Sequence, residues 1–337
     1  MIIYQFTKRE QSKIIVLCVF SLILTSQCKR DKLDIPDTGR KIVINGLITT
    51  DSLLNVRISK SYYYNSDLPF FIDSDNINNV KVLFYSENGL IDSLVPKYHP
   101  NDRYFFYQSN YWSKKVFPQA GKEYQIVVKA PGYPNATANI VVPNLVKIEN
   151  LDTSRFIVPP DPYYPYLSNV RFKCMVTFTD PPNDLNYYLI RVSKITYREW
   201  WIERSDIRID TQDPLVEQKL SNYDDVYTIA FSDKVVNGEK YSLQFIIDAD
   251  EIGMPFWENS GSFDGKPIAF YKTVVYFKLY SISKEFYRYI ETLNLYNKNY
   301  GNPLTDPVAV YSNINNGYGI FGAASVSCDS LVFLPLN

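Results

Sequence analysis

Few residues in this chain have the type and spacing that enzymatic chemistry needs. His99 is the only histidine, so a serine–histidine–aspartate triad would have to use it, and it lies in a loop-like stretch before Pro100. Acidic residues lie close together at Asp180 and Asp184 and over 248–251, where a glycosidase-type pair or a calcium loop would need them. They stand in turns and at strand ends, where acidic residues are common for backbone reasons. The sequence therefore predicts no catalytic residue, no metal site and no cofactor.

Cysteine chemistry is limited to four residues. Cys18 lies inside an apolar run and Cys28 follows that run, which leaves Cys174 and Cys328 as a pair. An exported protein could oxidise this pair to a disulfide. Alternatively, Cys174 stands in the strand-like stretch RFKCMVTF and is a small buried hydrophobe there. Neither cysteine has the spacing of a metal ligand.

Aromatic side chains are the remaining candidates for binding. Tyr63 lies in a Tyr-Tyr-Tyr run before a loop, and Trp200 and Trp201 lie near the end of a strand-like stretch over 185–203. Neighbouring residues of a strand point to opposite faces, so one member of such a group can be exposed. An exposed ring can stack on a sugar or anchor a protein partner. Packing between sheets or domains is the alternative that the sequence leaves open.

The first 40 residues indicate export. Three basic residues precede an eleven-residue apolar run, 14–24, which is too short to span a bilayer as a helix and is typical of a signal peptide. Cys28 stands where a bacterial lipoprotein carries its acylated cysteine, although Gln27 replaces the small residue that is usual before it. The sequence predicts a signal peptide over 1–27 and a lipidated tether over 28–40. The alternatives are a buried core helix, or ordinary signal cleavage with a free cysteine.

Short strands separated by turn signals fill residues 41–143. Apolar and polar residues alternate in stretches such as 53–61 and 79–86. Aromatic residues make up 16% of the chain, and aromatic and β-branched residues favour strands. Such short strands, without helical periodicity between them, predict a β-sandwich domain.

Residues 145–334 continue the strand pattern and contain one clear helix. Phe286, Ile290 and Leu293 recur at helical spacing, and Ser283 is suited to cap the first turn. The sequence predicts this helix over 283–299. The predicted fold is therefore mainly β, with a β-sandwich followed by a second β-rich domain that holds one C-terminal amphipathic helix.

The charge balance argues against one class of partner. The formal net charge is −1, and no basic stripe stands out along the chain. Nucleic-acid binding needs such a stripe to neutralise phosphates. We therefore expect no nucleic-acid partner.

Four segments carry a resemblance to a known family. They are VINGLITTDSLLNVRISKS, FTDPPNDLNYYLIRV, FSDKVVNGEKYSLQF and, the most specific, NPLTDPVAVYSNINNGYGIFGAAS. The resemblance spans about residues 28–327. In these segments the chain resembles the Bacteroidota lipoproteins grouped as domain of unknown function 4249.

The resemblance implies both a fold and a cellular location. Members look like outer-membrane lipoproteins with an N-terminal transthyretin-like sandwich and a second β domain. Their genes often lie beside those of TonB-dependent outer-membrane transporters, which implies a role in nutrient capture or in transporter assembly. The resemblance implies no catalytic residues.

From the sequence and the resemblance we expect a non-enzymatic accessory lipoprotein of the outer membrane. It would be held in the membrane through Cys28 and associated with a TonB-dependent nutrient transporter, on the periplasmic or the outer side. Tyr63, Trp200 and Trp201 are the expected contact residues. The alternatives are a stand-alone carbohydrate- or peptide-binding module at the cell surface, and a hydrolase with an acidic pair facing one cleft.

Overall fold

The computed structural model describes most of the chain after residue 38. The described residues are 39–61, 77–97, 111–159, 170–198, 202–222, 225–252, 270–300, 305–306 and 308–334. Residues from Arg40 to Asn337 form one compact unit, and Met1–Gly39 forms another. Nearly all of the predicted signal peptide and tether, Cys28 included, lies outside the described part of the chain.

The described residues of the N-terminal half of the compact unit form seven strands. In β1 the side chains of Ile42 and Ile44 are buried, while Val43 and Asn45 are only half-buried, because successive residues of a strand point to opposite faces. The strands are β1 Ile42–Thr49, β2 Asn55–Lys60, β3 Lys81–Ser86, β4 Gly89–Pro96, β5 Tyr111–Trp112, β6 Glu123–Lys129 and β7 Ala136–Val141.

In the C-terminal half, the part of the chain that the structure describes forms nine strands and two helices. The strands are β8 Asn150–Ile157, β9 Val170–Thr179, β10 Tyr187–Arg198, β11 Ile202–Asp206, β12 Gln218–Asn222, β13 Asp225–Ser232, β14 Lys240–Asp248, β15 Phe270–Ile282 and β16 Gly317–Phe333. The helices are α1 Ala249–Ile252 and α2 Lys284–Asn299.

One large sheet runs through both halves. Its strand order is β12-β13-β10-β15-β16-β1-β2-β5-β4-β3-β6-β7, and β11 pairs beside β10. A second sheet, in the order β14-β9-β8, lies across the C-terminal half, and the side chains between the two sheets form one core. The strands of the N-terminal half enclose another core.

Strand β16 belongs to both cores. Its first part pairs in parallel with β1, from Gly317 opposite Ile42 to Ala324 opposite Thr49. Its second part pairs with β15 in antiparallel fashion. The side chain of Phe321 is fully buried in the N-terminal core, whereas Leu331 packs against the C-terminal core. A single strand from the end of the chain therefore completes the sandwich at its beginning.

Helix α2 lies where the sequence predicts it. Ser283 has an extended backbone and its Oγ accepts a hydrogen bond from the Phe286 N–H, as an N-cap residue does. Tyr287 and Ile290 are its buried residues, and they pack on Leu189 and Ile282 of the large sheet. The predicted mainly-β fold, with a sandwich and one C-terminal amphipathic helix, is confirmed.

One strand prediction is wrong. The sequence suggests a continuous strand over 185–203, but β10 ends at Arg198 and β11 returns beside it, with Ile202 opposite Tyr197. Local β-propensity is high on both sides of the turn, so the pattern alone does not reveal it. Within the described residues, no helix has the length and apolar character that a bilayer crossing requires.

Candidate functional site

Most residues that the sequence nominates for binding fall outside the described part of the chain. This holds for Cys28, Tyr63, His99, Trp200 and Trp201. Their roles stay predictions. The two tryptophans belong to the short connection between β10 and β11, which pair with each other.

The structure does not pair the two cysteines of the C-terminal half. Cys174 and Cys328 are both free, the first fully buried between the two sheets and the second exposed. Leu331 of β16 packs into the core that holds Cys174, whereas Val326 packs beneath α2 on the opposite face. Cys328 is two residues from Val326 and shares its face, because strand side chains alternate. The disulfide that the sequence left open is absent, and Cys174 is the small buried hydrophobe of the alternative interpretation.

Two loops meet at one end of the C-terminal half and form what we call the acidic joint. The joint comprises Asp180–Asn186, between β9 and β10, and Asp233–Glu239, between β13 and β14. The Asp233 N–H donates to the Asn186 carbonyl at 3.1 Å, and the Asp180 N–H donates to the Glu239 carbonyl at 3.0 Å. Backbone hydrogen bonds therefore hold the loops together in both directions.

Asp180 accepts hydrogen bonds from both sides of the joint. It is 1% exposed. One carboxylate oxygen accepts from the Tyr188 hydroxyl, and the other accepts from the Gly238 N–H at 2.9 Å. The Tyr188 ring packs between Phe178 and Phe231, with centroids 5.2 and 5.4 Å away. The carboxylate thus caps a group of three packed aromatic rings in the core.

Asp233 completes a buried acid pair with Asp180. It is fully buried, and its Oδ2 accepts from the Asn186 N–H at 2.8 Å and from the Asn186 side-chain amide at 3.2 Å. Its Oδ1 has no hydrogen-bond partner among the described residues. Burial raises the pKa of Asp233, and the charge of Asp180 raises it further.

A second polar cluster lies beside the joint, around Glu217. Its carboxylate accepts hydrogen bonds from the Tyr287 hydroxyl and from Ser232 Oγ at 3.1 Å, and Lys234 Nζ is 3.5 Å away. These partners lower the pKa of Glu217 although burial opposes them, and burial raises the pKa of Tyr287. The cluster ties α2 to the strand end that carries Asp233.

An open pocket of about 410 Å³ lies between the two halves beside the joint. Its walls come from the start of β6, the end of β7, the end of the first joint loop and the start of α2. Val141 and Leu185 line it and are 53% and 47% exposed. Glu123, Lys284 and Glu285 supply charge of both signs. Such a lining suits contact with a protein surface more than capture of one small ion.

The buried carboxyls of the joint have a structural role: they hold the two loops together. A general acid or a nucleophile must reach its substrate, yet both carboxyls are shut off from solvent in this arrangement. In the described ranges, no three His, Cys, Asp or Glu residues come together as a metal-binding group. Asp184, which the sequence nominates beside Asp180, is exposed and does not join the pair.

Sequence reasoning missed the partnership of Asp180 and Asp233, although a signal was present. The segments FTD and FSD place the same pattern at the ends of β9 and β13. The ring centroids of Phe178 and Phe231 in these segments are 6.1 Å apart. Each phenylalanine is followed two residues later by an aspartate, so the two aspartates lie close together although they come from different sheets. A repeated pattern at two strand ends is the feature that predicts such a pair.

The buried pair has a consequence for stability against pH. The folded-state pKa of Asp233 lies above its ordinary value of 3.8, so the stabilisation is fully present below that value and is lost as pH rises through the folded-state pKa. Asp233→Asn keeps the shape and cannot ionise. The advantage of the wild type over this variant in free energy of unfolding is therefore expected to shrink as the pH rises above about 4. Urea unfolding at a series of pH values measures it.

The exposed Asp184→Asn is the control for that series, because it removes a carboxylate from the same joint without touching the pair. Its stability is expected to follow the wild type across the range. If the difference between wild type and Asp233→Asn does not change with pH, a raised pKa of Asp233 in the folded state is ruled out.

These features define the class of protein: a two-core β protein, closed by a strand from its C-terminal end, with no recognisable catalytic centre in its described residues. The chain belongs to the family described as Domain of unknown function (DUF4249), whose model matches residues 30–329. A search of curated proteins finds no match to the chain.

Proposed function

We propose that this protein is a non-enzymatic accessory lipoprotein, anchored in the bacterial outer membrane through Cys28, that works with a TonB-dependent nutrient transporter. The observation that carries the proposal is the order of parts. A signal-like segment precedes Cys28, and the compact unit begins at Arg40, twelve residues further on. A connection of that length fits a folded body held close to a membrane.

The arrangement of the compact unit supports a role in presentation to a partner. β16 runs from the start of β1 past the opposite end of the sandwich, over 17 residues or roughly 55 Å. The C-terminal half and the pocket lined by Val141 and Leu185 therefore lie on the far side of the sandwich from the point where the tether enters. A transporter would meet this far side.

Cys28→Ala is expected to release the protein from the membrane. Acyl chains hold a lipoprotein because each buried methylene contributes about 0.8 kcal/mol, and the variant cannot carry them. Cell fractionation followed by immunoblotting should show the wild type in the outer-membrane pellet and the variant in the soluble fraction. Cys18→Ala is the matched control, since this cysteine lies inside the apolar run, and it should stay in the pellet.

Co-purification from detergent-solubilised outer membrane tests the partner. The wild type is expected to carry a TonB-dependent transporter with it. Protease treatment of intact cells then tells on which side of the membrane the complex lies. An anchored protein that recovers no transporter would overturn the partner assignment and leave the anchor standing.

The position of Trp200 and Trp201 favours a second candidate, a stand-alone carbohydrate- or peptide-binding module at the cell surface. In the sequence they fall between β10 and β11, and these two strands pair with each other at the end of β10 that lies away from the acidic joint. Ligand binding by the chain without any transporter, lost in Trp201→Ala, would favour this candidate over the accessory role.

A further inference from the structure

One end of the N-terminal sandwich is the place where the tether enters, and we call it the proximal pole. The strand registers define it. β1 starts there and β2 ends there, since Ile42 lies opposite Lys60. β3 starts there and β6 ends there, since Lys81 lies opposite Lys129. β4 ends and β7 begins at the same level.

The proximal pole is basic. Its strand ends carry six cations, and the described residues at these ends and in the adjoining turns include no carboxylate. The cations are Arg40, Lys41, Lys60, Lys81, Lys97 and Lys129. The opposite end of the sandwich, the distal pole, is balanced, with three lysines and three carboxylates. These are Lys114, Lys115, Lys122, Asp51, Glu87 and Glu123.

Two contacts within the proximal pole indicate an anionic partner. Lys81 and Lys129 are exposed and stand directly opposite each other on neighbouring antiparallel strands. Like charges in this position destabilise a sheet, so the fold itself gains nothing from them. Lys41 Nζ lies 4.9 Å from the ring centre of Tyr318, which is 44% exposed. A lysine beside an exposed tyrosine is a combination that suits the boundary between water and lipid headgroups.

We propose that the proximal pole is a docking surface for anionic phospholipid headgroups of the membrane that holds Cys28. The inference rests on the proposed lipid anchor. Residues 28–39 can span at most about 40 Å, which is the length of a fully extended chain of this size. The tether therefore keeps the cations close to the headgroups, and at physiological salt the last ~8 Å of approach are electrostatically attractive. Docking would stand the sandwich upright and hold the C-terminal half away from the bilayer.

The excess of positive charge at this pole remains when the formal charges of the connecting segments are added. Residues 62–76 and 98–110 lie outside the described residues and contribute four aspartates and one arginine. They do not cancel six cations. A nucleic acid is the other polyanion that a basic surface could bind, but the tether brings this pole to a membrane, which makes lipid the partner that the structure favours.

Vesicle binding by the mature chain 28–337 with Cys28→Ala tests the proposal, because this protein carries no acyl chain. Sedimentation with phosphatidylethanolamine–phosphatidylglycerol vesicles is expected to deplete it from solution, and pure phosphatidylcholine vesicles are not. A triple variant with glutamine in place of Arg40, Lys81 and Lys129 should have a partition coefficient lower by roughly tenfold or more. Each basic residue near an anionic surface raises the partition coefficient several-fold. Salt at about 1 M should abolish binding, because the screening length falls to about 3 Å.

The matched control changes the same number of cations at the distal pole. A variant with glutamine in place of Lys114, Lys115 and Lys122 should bind vesicles within about twofold of the parent. Both triple variants should unfold at or above the parent's urea midpoint, which shows that folding is not the cause. Equal losses in the two variants, no binding by the parent, or equal binding of the parent to a DNA duplex would overturn the proposal. None of these results bears on Cys28, so the anchor is tested separately.

Discussion

Gly319→Ala is expected to lower the free energy of unfolding by about 3 to 5 kcal/mol. Gly319 lies in the part of β16 that pairs with β1. Its φ is +100°, a conformation that side chains rarely adopt. A Cβ there would stand 2.1 Å from the carbonyl oxygen of Ile44 and 2.7 Å from Oδ1 of Asn45. The backbone carbonyl cannot move without breaking the pairing of the two strands.

Gly89→Ala isolates the clash from the strain of the backbone. Gly89 has a φ of +101°, nearly the same value, but no atom lies within 4 Å of the position that a Cβ would take. Only the conformational strain remains, and about 1 to 2 kcal/mol is expected. The two variants are compared by urea unfolding with the slope of the transition monitored.

The Gly319 variant also reports on how the halves are joined. Because Phe321 is buried in the N-terminal core and Leu331 packs on the C-terminal core, damage to β16 should weaken both in one transition. Circular dichroism and tryptophan fluorescence should give the same midpoint. A loss no larger than that of Gly89→Ala would show that β16 is not held against β1 as described.

Asp180→Ala is expected to cost about 3 to 5 kcal/mol of stability. The carboxylate of Asp180 is buried and accepts from the Tyr188 hydroxyl and the Gly238 N–H. Without it both donors stay buried and unpaired, and each such group costs about 1 to 3 kcal/mol. Asp233 also loses its neighbour, and its Oδ1 has no other partner in the described structure.

Asp184→Ala is the control for this variant. It is an aspartate of the same loop, four residues away, and its side chain is exposed. A change within about 0.5 kcal/mol is expected. Hydrogen exchange should show faster opening of the acidic joint in Asp180→Ala alone. Equal unfolding midpoints for the two variants would mean that the buried pair does not fasten the joint.

The candidate sites show what kind of information a sequence carries about this fold. Glu217 and Tyr287 are 70 residues apart in the chain yet share a hydrogen bond. Asp180 was a candidate from its spacing to Asp184, but its partner is Asp233, on a different loop. Spacing along the chain identifies a group on one turn or one helix face, and it does not identify a group assembled from two sheets.

The sequence by itself determined the local elements. Alternation of apolar and polar residues specified the strands of the sandwich, and Ser283 with the spaced apolar residues after it specified α2, because side-chain periodicity and capping act over a few residues. Only the tertiary structure decided that β16 returns to pair with β1, that the chain turns between β10 and β11, and that Cys174 and Cys328 face different ways. Partner choice among strands depends on burial and backbone hydrogen bonds across the whole chain, and no short segment holds that information.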